Sequence, residues 1–310
     1  GKDTLRDRYN RMRSGFIAII GKPNAGKSSL TNRLTGEKIS IVTPKPQTTR
    51  DAVRAILTTS EYQMIFVDTP GLLKPRTELG KYMSRETDTS SRDADALVIV
   101  IDGSRPFGSR DYEMIESRLK SAVPVYVVIN KTDIAGYEKV YPILSALTPL
   151  TKDADGRHAL KDIIPVSCVS GDNIDLLRDK LAGELKDEVM YYPEGDVTDK
   201  PMRYVVGEII REKALLLLRD EVPHGVGITV GAYEDKKDSV YIEADVVCER
   251  EGHKRIIIGD GGSMIKRIGH DARLGIMDLT GKNVYLKLFV KVREDWRNKR
   301  NYMRDLGYGD

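Results

Sequence analysis

The stretch GKPNAGKS at residues 21–28 decides the fold. An apolar run, FIAII at 16–20, comes immediately before it, and a helical pattern over 29–34 comes after it. G-x-x-x-x-G-K-[ST] between a strand and a helix is the signature of a phosphate-binding loop. Gly21 and Gly26 allow the backbone to wrap closely round a pyrophosphate. The loop N–H groups and the helix N-terminus meet its negative charge. The candidate contacts are Gly21, Lys22, Pro23, Asn24, Ala25, Gly26, Lys27, Ser28 and Ser29. Lys27 is expected to reach the β- and γ-phosphates, and the Ser28 hydroxyl to ligate Mg²⁺.

Outward from this loop, short apolar runs alternate with amphipathic stretches. The runs are YQMIFVD (62–68), ALVIVID (96–102), VYVVIN (125–130) and DIIPVS (162–167). Val- and Ile-rich runs without polar alternation are strands buried on both faces of a mostly parallel sheet. Helical patterns lie at 79–92, 111–120 and 174–189. The strand-like segment 52–59 lies beside 62–67 with a short polar connection, which predicts one antiparallel strand. The fold class expected is an α/β, doubly wound P-loop domain.

Three further motifs end strands of this sheet. Asp68-Thr69-Pro70-Gly71 places a carboxylate to hold Mg²⁺ through water, and the Gly71 N–H to sense a γ-phosphate. Asn130-Lys131-Thr132-Asp133 places a carboxylate to accept hydrogen bonds from guanine N1–H and the 2-amino group. Adenine offers neither donor, so Asp133 selects GTP over ATP. Ser167-Cys168 can present a backbone N–H to guanine O6. Ligands of open α/β sheets bind at this carboxyl edge. Between the first two motifs lies the polar loop 43–50, where Thr48 and Thr49 are candidates to close over the γ-phosphate, with Thr49 on Mg²⁺. Lys27, Thr48, Thr49 and Gly71 form the expected catalytic set.

Composition bounds the remaining possibilities. The 310 residues suggest two domains. With 50 basic and 47 acidic residues the net charge is only +3, so any nucleic-acid surface must come from local clustering. The two cysteines, Cys168 and Cys248, are too few for a disulfide framework or a zinc site, and fit a reducing compartment. No apolar run approaches the roughly 20 residues that span a bilayer. Residues 1–14 are basic with no apolar segment behind them, and read as a solvated helix or frayed tail. Periodicity breaks at YYPEGDVTDKPM (191–202), the expected linker. The expected domains are therefore an extension at 1–14, a nucleotide domain at 15–190, the linker at 191–202 and a C-terminal domain at 203–310.

On GKPNAGKSSL, KPQTTRD, DTPGLLKP, NKTD, EGHKRIIIGDGGSMIKRIG and LFVKVREDWR, the chain resembles the translation-factor-like GTPases and, within them, the Era family, over residues 15–308. The resemblance implies a GTP hydrolase of small-subunit ribosome assembly with Mg²⁺ as cofactor. It also implies an RNA-binding KH domain that takes small-subunit rRNA near its 3′ end in the precursor subunit. A cytoplasmic location, some of it peripheral on the inner membrane face, goes with it, and a monomer is expected. Ala25 stands where Val is more usual, and Cys168 where Ala is. Leu72 follows Gly71, where many GTPases carry a water-orienting Gln, so hydrolysis is expected to be slow. Asn24 looks like the potassium ligand of this group, with K⁺ supplying positive charge in place of an arginine finger. The other reading of Asn24 is a turn former that stabilises the loop.

The C-terminal half reads as the α+β order αββααβ of a KH module: a helix at 204–220, strands at 225–233 and 239–250, a Gly-rich turn, two helices, and a strand at 284–292. The turn Gly259-Asp260-Gly261-Gly262 is expected between a strand and a helix, where its backbone approaches about four unstacked nucleotides. Lys254, Arg255, Lys266 and Arg267 flank it. Asp260 is discordant, because a carboxylate repels phosphate. Trp296 could stack on a base, but more often such a residue packs a terminal helix. An alternative reading makes the protein an RNA chaperone whose nucleotide site is mainly structural.

Overall fold

The computed structural model describes residues 12–72, 74–154 and 156–309. The expectation for the N-terminal extension falls largely on residues 1–11, which lie outside that range. By their contacts the described residues form two units. The first holds 12–40, 49–72 and 84–199, and the second holds 41–48, 74–83 and 200–309.

Along the chain run β1 (Arg13–Gly21), α1 (Lys27–Thr35), β2 (Val53–Thr58), β3 (Tyr62–Asp68), α2 (Glu78–Arg92), β4 (Ala96–Asp102), α3 (Ser109–Arg118), β5 (Val125–Asn130), α4 (Thr132–Leu147), β6 (Asp162–Pro165) and α5 (Ile174–Ala182). The sheet order is β2-β3-β1-β4-β5-β6, with β2 antiparallel to β3 and every other pairing parallel. This is the predicted doubly wound sheet with its one antiparallel strand. Alternate residues of β1 enter opposite cores: Ile17 and Ile19 pack with Leu30, Leu34 and Leu177, while Ala18 and Ile20 pack with Ile99, Ile115 and Leu147. All six residues of β5 are buried, so its sequence carries no alternation. Strand order reverses around β1, which places the 21–28 loop at the carboxyl-edge crevice where such sheets bind ligands.

Two local features differ from the sequence reading. Helix α4 was not among the predicted helices, because Gly136 (φ 69°) interrupts it and Pro142 lies inside it, which hides its apolar stripe. The helix expected over 174–189 ends at Ala182, and Asp187 instead pairs with Ser14 beside β1. The segment expected as a linker is strapped to the first sheet. Buried Gln63 accepts the N–H groups of Tyr191 (2.9 Å) and Tyr192 (3.0 Å) and donates to the Tyr192 carbonyl (2.9 Å). Ile56 N–H donates to the Val197 carbonyl at 2.9 Å, so this segment covers the free edge of β2.

The second unit contains α6 (Met202–Leu217), β7 (Gly227–Asp235), β8 (Ser239–Cys248), α7 (Glu251–Ile258), α8 (Ser263–Thr280), β9 (Asn283–Val292) and α9 (Arg300–Asp305). Its sheet, β7-β8-β9, pairs β7 with β8 antiparallel and β8 with β9 parallel. Val206 and Ile210 of α6 and Ala272 and Ile276 of α8 bury one face of that sheet. The αββααβ order is as predicted. The glycine turn differs, for it joins α7 to α8 and so sits between two helices, not between a strand and a helix. The run Ile256–Ile258 suggested a strand, yet Ile257 is fully buried while Ile256 is exposed, as on a helix with one face to the core. Trp296 is completely buried and donates from Nε1 to the Gly225 carbonyl at 2.8 Å, so it packs rather than stacks on a base. No helix of the described residues is long and apolar enough to cross a membrane.

Candidate functional site

The loop between β1 and α1 has a backbone that only its own residues fit. Gly21 has φ +151°, and a Cβ there would meet the Val100 carbonyl oxygen at 2.4 Å. Gly26 has φ +100°, and its Cβ would lie 2.1 Å from Asn130 Nδ2. Asn24 takes the left-handed region at φ 62°, which Asn tolerates well, so its turn-forming role is real whatever else it does. The buried Lys27 ammonium curls back to donate to the Gly21 (3.1 Å) and Lys22 (3.0 Å) carbonyls. Burial pushes its pKa down to about 8, with Asp68 opposing the shift. The Lys22 side chain turns away to an ion pair with Asp111 at 2.6 Å. Ala25 belongs to the core, and Ser29 lies in the first turn of α1.

Asp68 ends β3 with no exposure, and among the described residues neither carboxylate oxygen has a hydrogen-bond partner. Burial raises its pKa, while the nearby Ser28 hydroxyl, Lys27 and the Ser40 hydroxyl favour the ionised form. The Ser28 and Thr49 hydroxyls meet at 2.9 Å. A buried, unpartnered carboxylate costs several kcal/mol unless something neutralises it. With the hydroxyl pair and Lys27 close by, this donor set fits a hard divalent cation beside phosphate. Thr69 donates to the Ile19 carbonyl at 2.7 Å, and the Pro70 carbonyl accepts from Thr87 at 3.2 Å. Gly71 approaches so closely that a Cβ would lie 2.9 Å from Pro23 Cγ, which brings the two loops together. The Thr48 hydroxyl, by contrast, is engaged inside its own loop, bonding Thr43 and the Lys45 carbonyl at 2.7 Å each. Its side chain therefore does not join the Ser28–Thr49 pair.

The 130–133 and 167–168 loops are pinned to the phosphate loop. Asn130 donates from Nδ2 to the Ala25 carbonyl (3.0 Å) and accepts from the Cys168 N–H (3.3 Å). Lys131 donates to the Asn24 carbonyl at 2.8 Å. Ser167 Oγ donates to Asp133 Oδ1 at 2.8 Å, which sets the carboxylate's orientation. Burial pushes the Cys168 thiol up to about 12, so it stays protonated. Sequence reasoning missed Asp102, the last residue of β4, which pairs with Lys131 at 2.6 Å. Burial opposes its ionisation, but Lys131 and Ser104 more than offset this and hold the carboxyl below its usual range. An apolar strand ending in Asp at the carboxyl edge was the available signal.

In the second unit, Gly259 (φ 72°), Gly261 (φ 57°) and Gly262 (φ 79°) all take left-handed backbone, and a Cβ on Gly259 would clash with Met264 at 2.8 Å. The turn leads into the N-terminus of the 18-residue α8, an anion-attracting end. Asp260, Gly261, Arg255, Lys266 and Arg267 are exposed, and Lys254 is half-buried. Among the described residues, none of those four cations is in an ion pair, whereas Lys287 and Lys291 on β9 are paired with Glu243 and Asp245.

The chain matches a family model described as 50S ribosome-binding GTPase over residues 16–131 and one described as KH domain over 221–297. It is 41% identical over 297 residues to a GTPase Era of Clostridium botulinum, covering 96% of this chain and 98% of the relative. A GTPase Era of Ruminiclostridium cellulolyticum is 38% identical, with 96% and 97% covered. Among solved structures it is similar to Era in complex with MgGDPNP and nucleotides 1506–1542 of 16S ribosomal RNA (TM-score 0.89, 36% identity, 96% of this chain and 100% of that chain covered). It is similarly close to a variant of Aquifex aeolicus Era bound to GDP·AlF4⁻ (TM-score 0.90, 36% identity, the same coverage).

Proposed function

The chain belongs to the Era family of GTPases, and from that premise we propose that it binds and slowly hydrolyses GTP at the 21–28 loop and takes small-subunit rRNA near its 3′ end on the 259–262 turn, in assembly of the small ribosomal subunit. The observation that carries the nucleotide half is the unpartnered Asp68 carboxylate beside the Ser28–Thr49 hydroxyl pair. Among the described residues no group of three or more His, Cys, Asp or Glu could hold a metal by itself. A magnesium ion would therefore be held by Ser28, Thr49, Asp68 and the nucleotide's own phosphates, where it would neutralise charge developing on the transferred group. Lys27 holds the β- and γ-phosphates, the Gly71 N–H marks the γ-phosphate, and Asp133 with the Ser167-Cys168 backbone reads guanine.

Leu72 donates its N–H to the Gly21 carbonyl at 3.0 Å and packs its side chain against the core, so it cannot orient the attacking water. Without a glutamine there, turnover is slow; Asn24 and the phosphates would hold a K⁺ ion, which would supply positive charge in place of an arginine finger. Two of the comparisons bear on the RNA partner. The 50S description belongs to a family model that stops at residue 131, whereas the Era structure with 16S RNA matches the chain through its C-terminal half. The second is the better guide to the RNA. The unpaired cations round the glycine turn supply phosphate contacts, and the functional division at 15–190, 191–202 and 203–310 belongs to this reading. The protein works in the cytoplasm, in part against the inner membrane face, as a monomer. The chaperone alternative is not favoured, because a merely structural site gains nothing from burying both Lys27 and Asp68.

Single-turnover hydrolysis of γ-labelled GTP, run in K⁺ and in Na⁺ at matched ionic strength, tests this. The expected result is slow phosphate release that needs Mg²⁺ and is faster in K⁺. No release would remove the enzyme reading, and equal rates in the two salts would remove only the role of Asn24.

A further inference from the structure

Helix α6 carries two charged side chains deep in the second unit, Arg211 at 1% and Glu212 at 3% exposure. Residues 41–48 belong to that same unit. Glu208 grips the Arg211 guanidinium with two hydrogen bonds, Nε to Oε1 at 2.8 Å and Nη2 to Oε2 at 2.6 Å. So held, Arg211 Nη2 also donates to the Thr48 carbonyl. From the next residue, Glu212 Oε1 accepts the Val42 N–H at 3.1 Å, and its other oxygen pairs with Lys213 at 2.9 Å. The segment is thus fastened near both of its ends, at Val42 and at Thr48.

Such an arrangement is poor economy for stability alone. A buried Arg–Glu pair seldom outweighs its desolvation, and well-packed apolar residues of the same volume are often as good or better. Arg211 Nη1 is also buried with no hydrogen-bond partner among the described residues. What the pair does achieve is to fix one backbone carbonyl, and the next residue along that backbone is Thr49, whose hydroxyl meets Ser28.

We propose that Arg211 is a positioning residue for GTP hydrolysis: held by Glu208, it fixes the Thr48 carbonyl and so sets where the Thr49 hydroxyl stands. This rests on the reading that Thr49 and Ser28 hold magnesium. A residue of the C-terminal half, more than 160 positions downstream of Thr48, then tunes the nucleotide site through the backbone between Thr48 and Thr49. Lysine does not substitute for Arg211, because the two parallel hydrogen bonds to Glu208 need a guanidinium fork.

The test uses the full chain with the variants Arg211→Lys, Glu208→Gln, Thr49→Ala and the double Arg211→Lys/Thr49→Ala. Two readouts are taken: turnover against Mg²⁺ concentration, and the Mg²⁺-dependent slowing of release of a fluorescent GTP analogue. Thermal unfolding of each variant reports folding, and Glu208→Gln keeps volume should Arg211→Lys fold poorly. Arg211→Lys and Glu208→Gln are each expected to lower kcat and raise the half-saturating Mg²⁺ by about tenfold, with GDP affinity in EDTA unchanged. The double variant is expected to be no worse than Thr49→Ala alone, since both changes remove one function. If Thr49→Ala shifts the Mg²⁺ dependence while Arg211→Lys and Glu208→Gln do not, or if the effects simply add, the proposal is overturned and the magnesium reading stands. If Thr49→Ala leaves the Mg²⁺ dependence unchanged, the magnesium reading fails and takes the proposal with it.

Discussion

Lys27 and Asp68 are buried charges whose ordinary protonation the fold opposes, and that opposition has a measurable consequence. Burial holds the Lys27 pKa at about 8, below its usual 10.5, so the fold gains stability as pH rises from about 8 towards 10.5. Nucleotide phosphates favour the charged ammonium and restore the higher value. Binding at pH 9 is therefore expected to take up close to one proton per GDP, with little exchange at pH 7 and affinity falling above pH 8. Titration calorimetry in buffers of different ionisation enthalpy measures this uptake, and none at pH 9 would place Lys27 away from the phosphates. At this scale the candidate nucleotide site was largely legible, since Lys27, Ser28, Asp68, Asn130 and Asp133 lie in short local motifs at strand ends. Asp102 was not, because its partner Lys131 comes from the neighbouring strand's end and only the sheet order brings them together. The Thr48 hydroxyl was expected in the catalytic set beside Thr49, yet loop geometry gives the two different partners.

The strands of the first sheet were legible as elements because burial on both faces leaves uninterrupted apolar runs. Helix α4 and the position of the glycine turn were not. Gly136 and Pro142 break the periodicity of one, and a run of three isoleucines imitates a strand in the other. The strap formed by residues 191–198 was legible only as a loss of pattern, since it is held by Gln63 and the β2 backbone rather than by a stripe of its own. Gln63→Ala is expected to cost about 1–3 kcal/mol by leaving part-buried N–H and C=O groups of 191–192 unpaired, as read by urea unfolding. A change below about 0.5 kcal/mol would mean that the strap contributes nothing to stability. On the other unit, the exposed Asp260 carboxylate sits at the mouth of the turn that opens α8. Asp260→Lys is expected to tighten binding of a single-stranded rRNA fragment severalfold and steepen its salt dependence. Unchanged affinity across a salt series would show that the turn does not face the phosphates.

Across the whole molecule a net charge of only +3 leaves RNA affinity to local clusters, and the unpaired cations near residues 254–267 are such a cluster. The two segments that flank the nucleotide motifs, 41–48 and 74–83, are grouped by their contacts with the C-terminal half rather than with the first unit. Leu79 and Met83 share a buried cluster with Val247, Trp296 and Met303. A domain boundary drawn from composition places both segments with the nucleotide domain, because which core a loop joins depends on tertiary packing. The proposed function requires nucleotide state and RNA binding to affect each other reciprocally. The most direct measurement is the affinity of the full chain for a 16S 3′-end fragment at fixed salt, first with GDP and then with a non-hydrolysable GTP analogue. The account predicts affinities that differ by about tenfold or more, and equal affinities in the two states would contradict it.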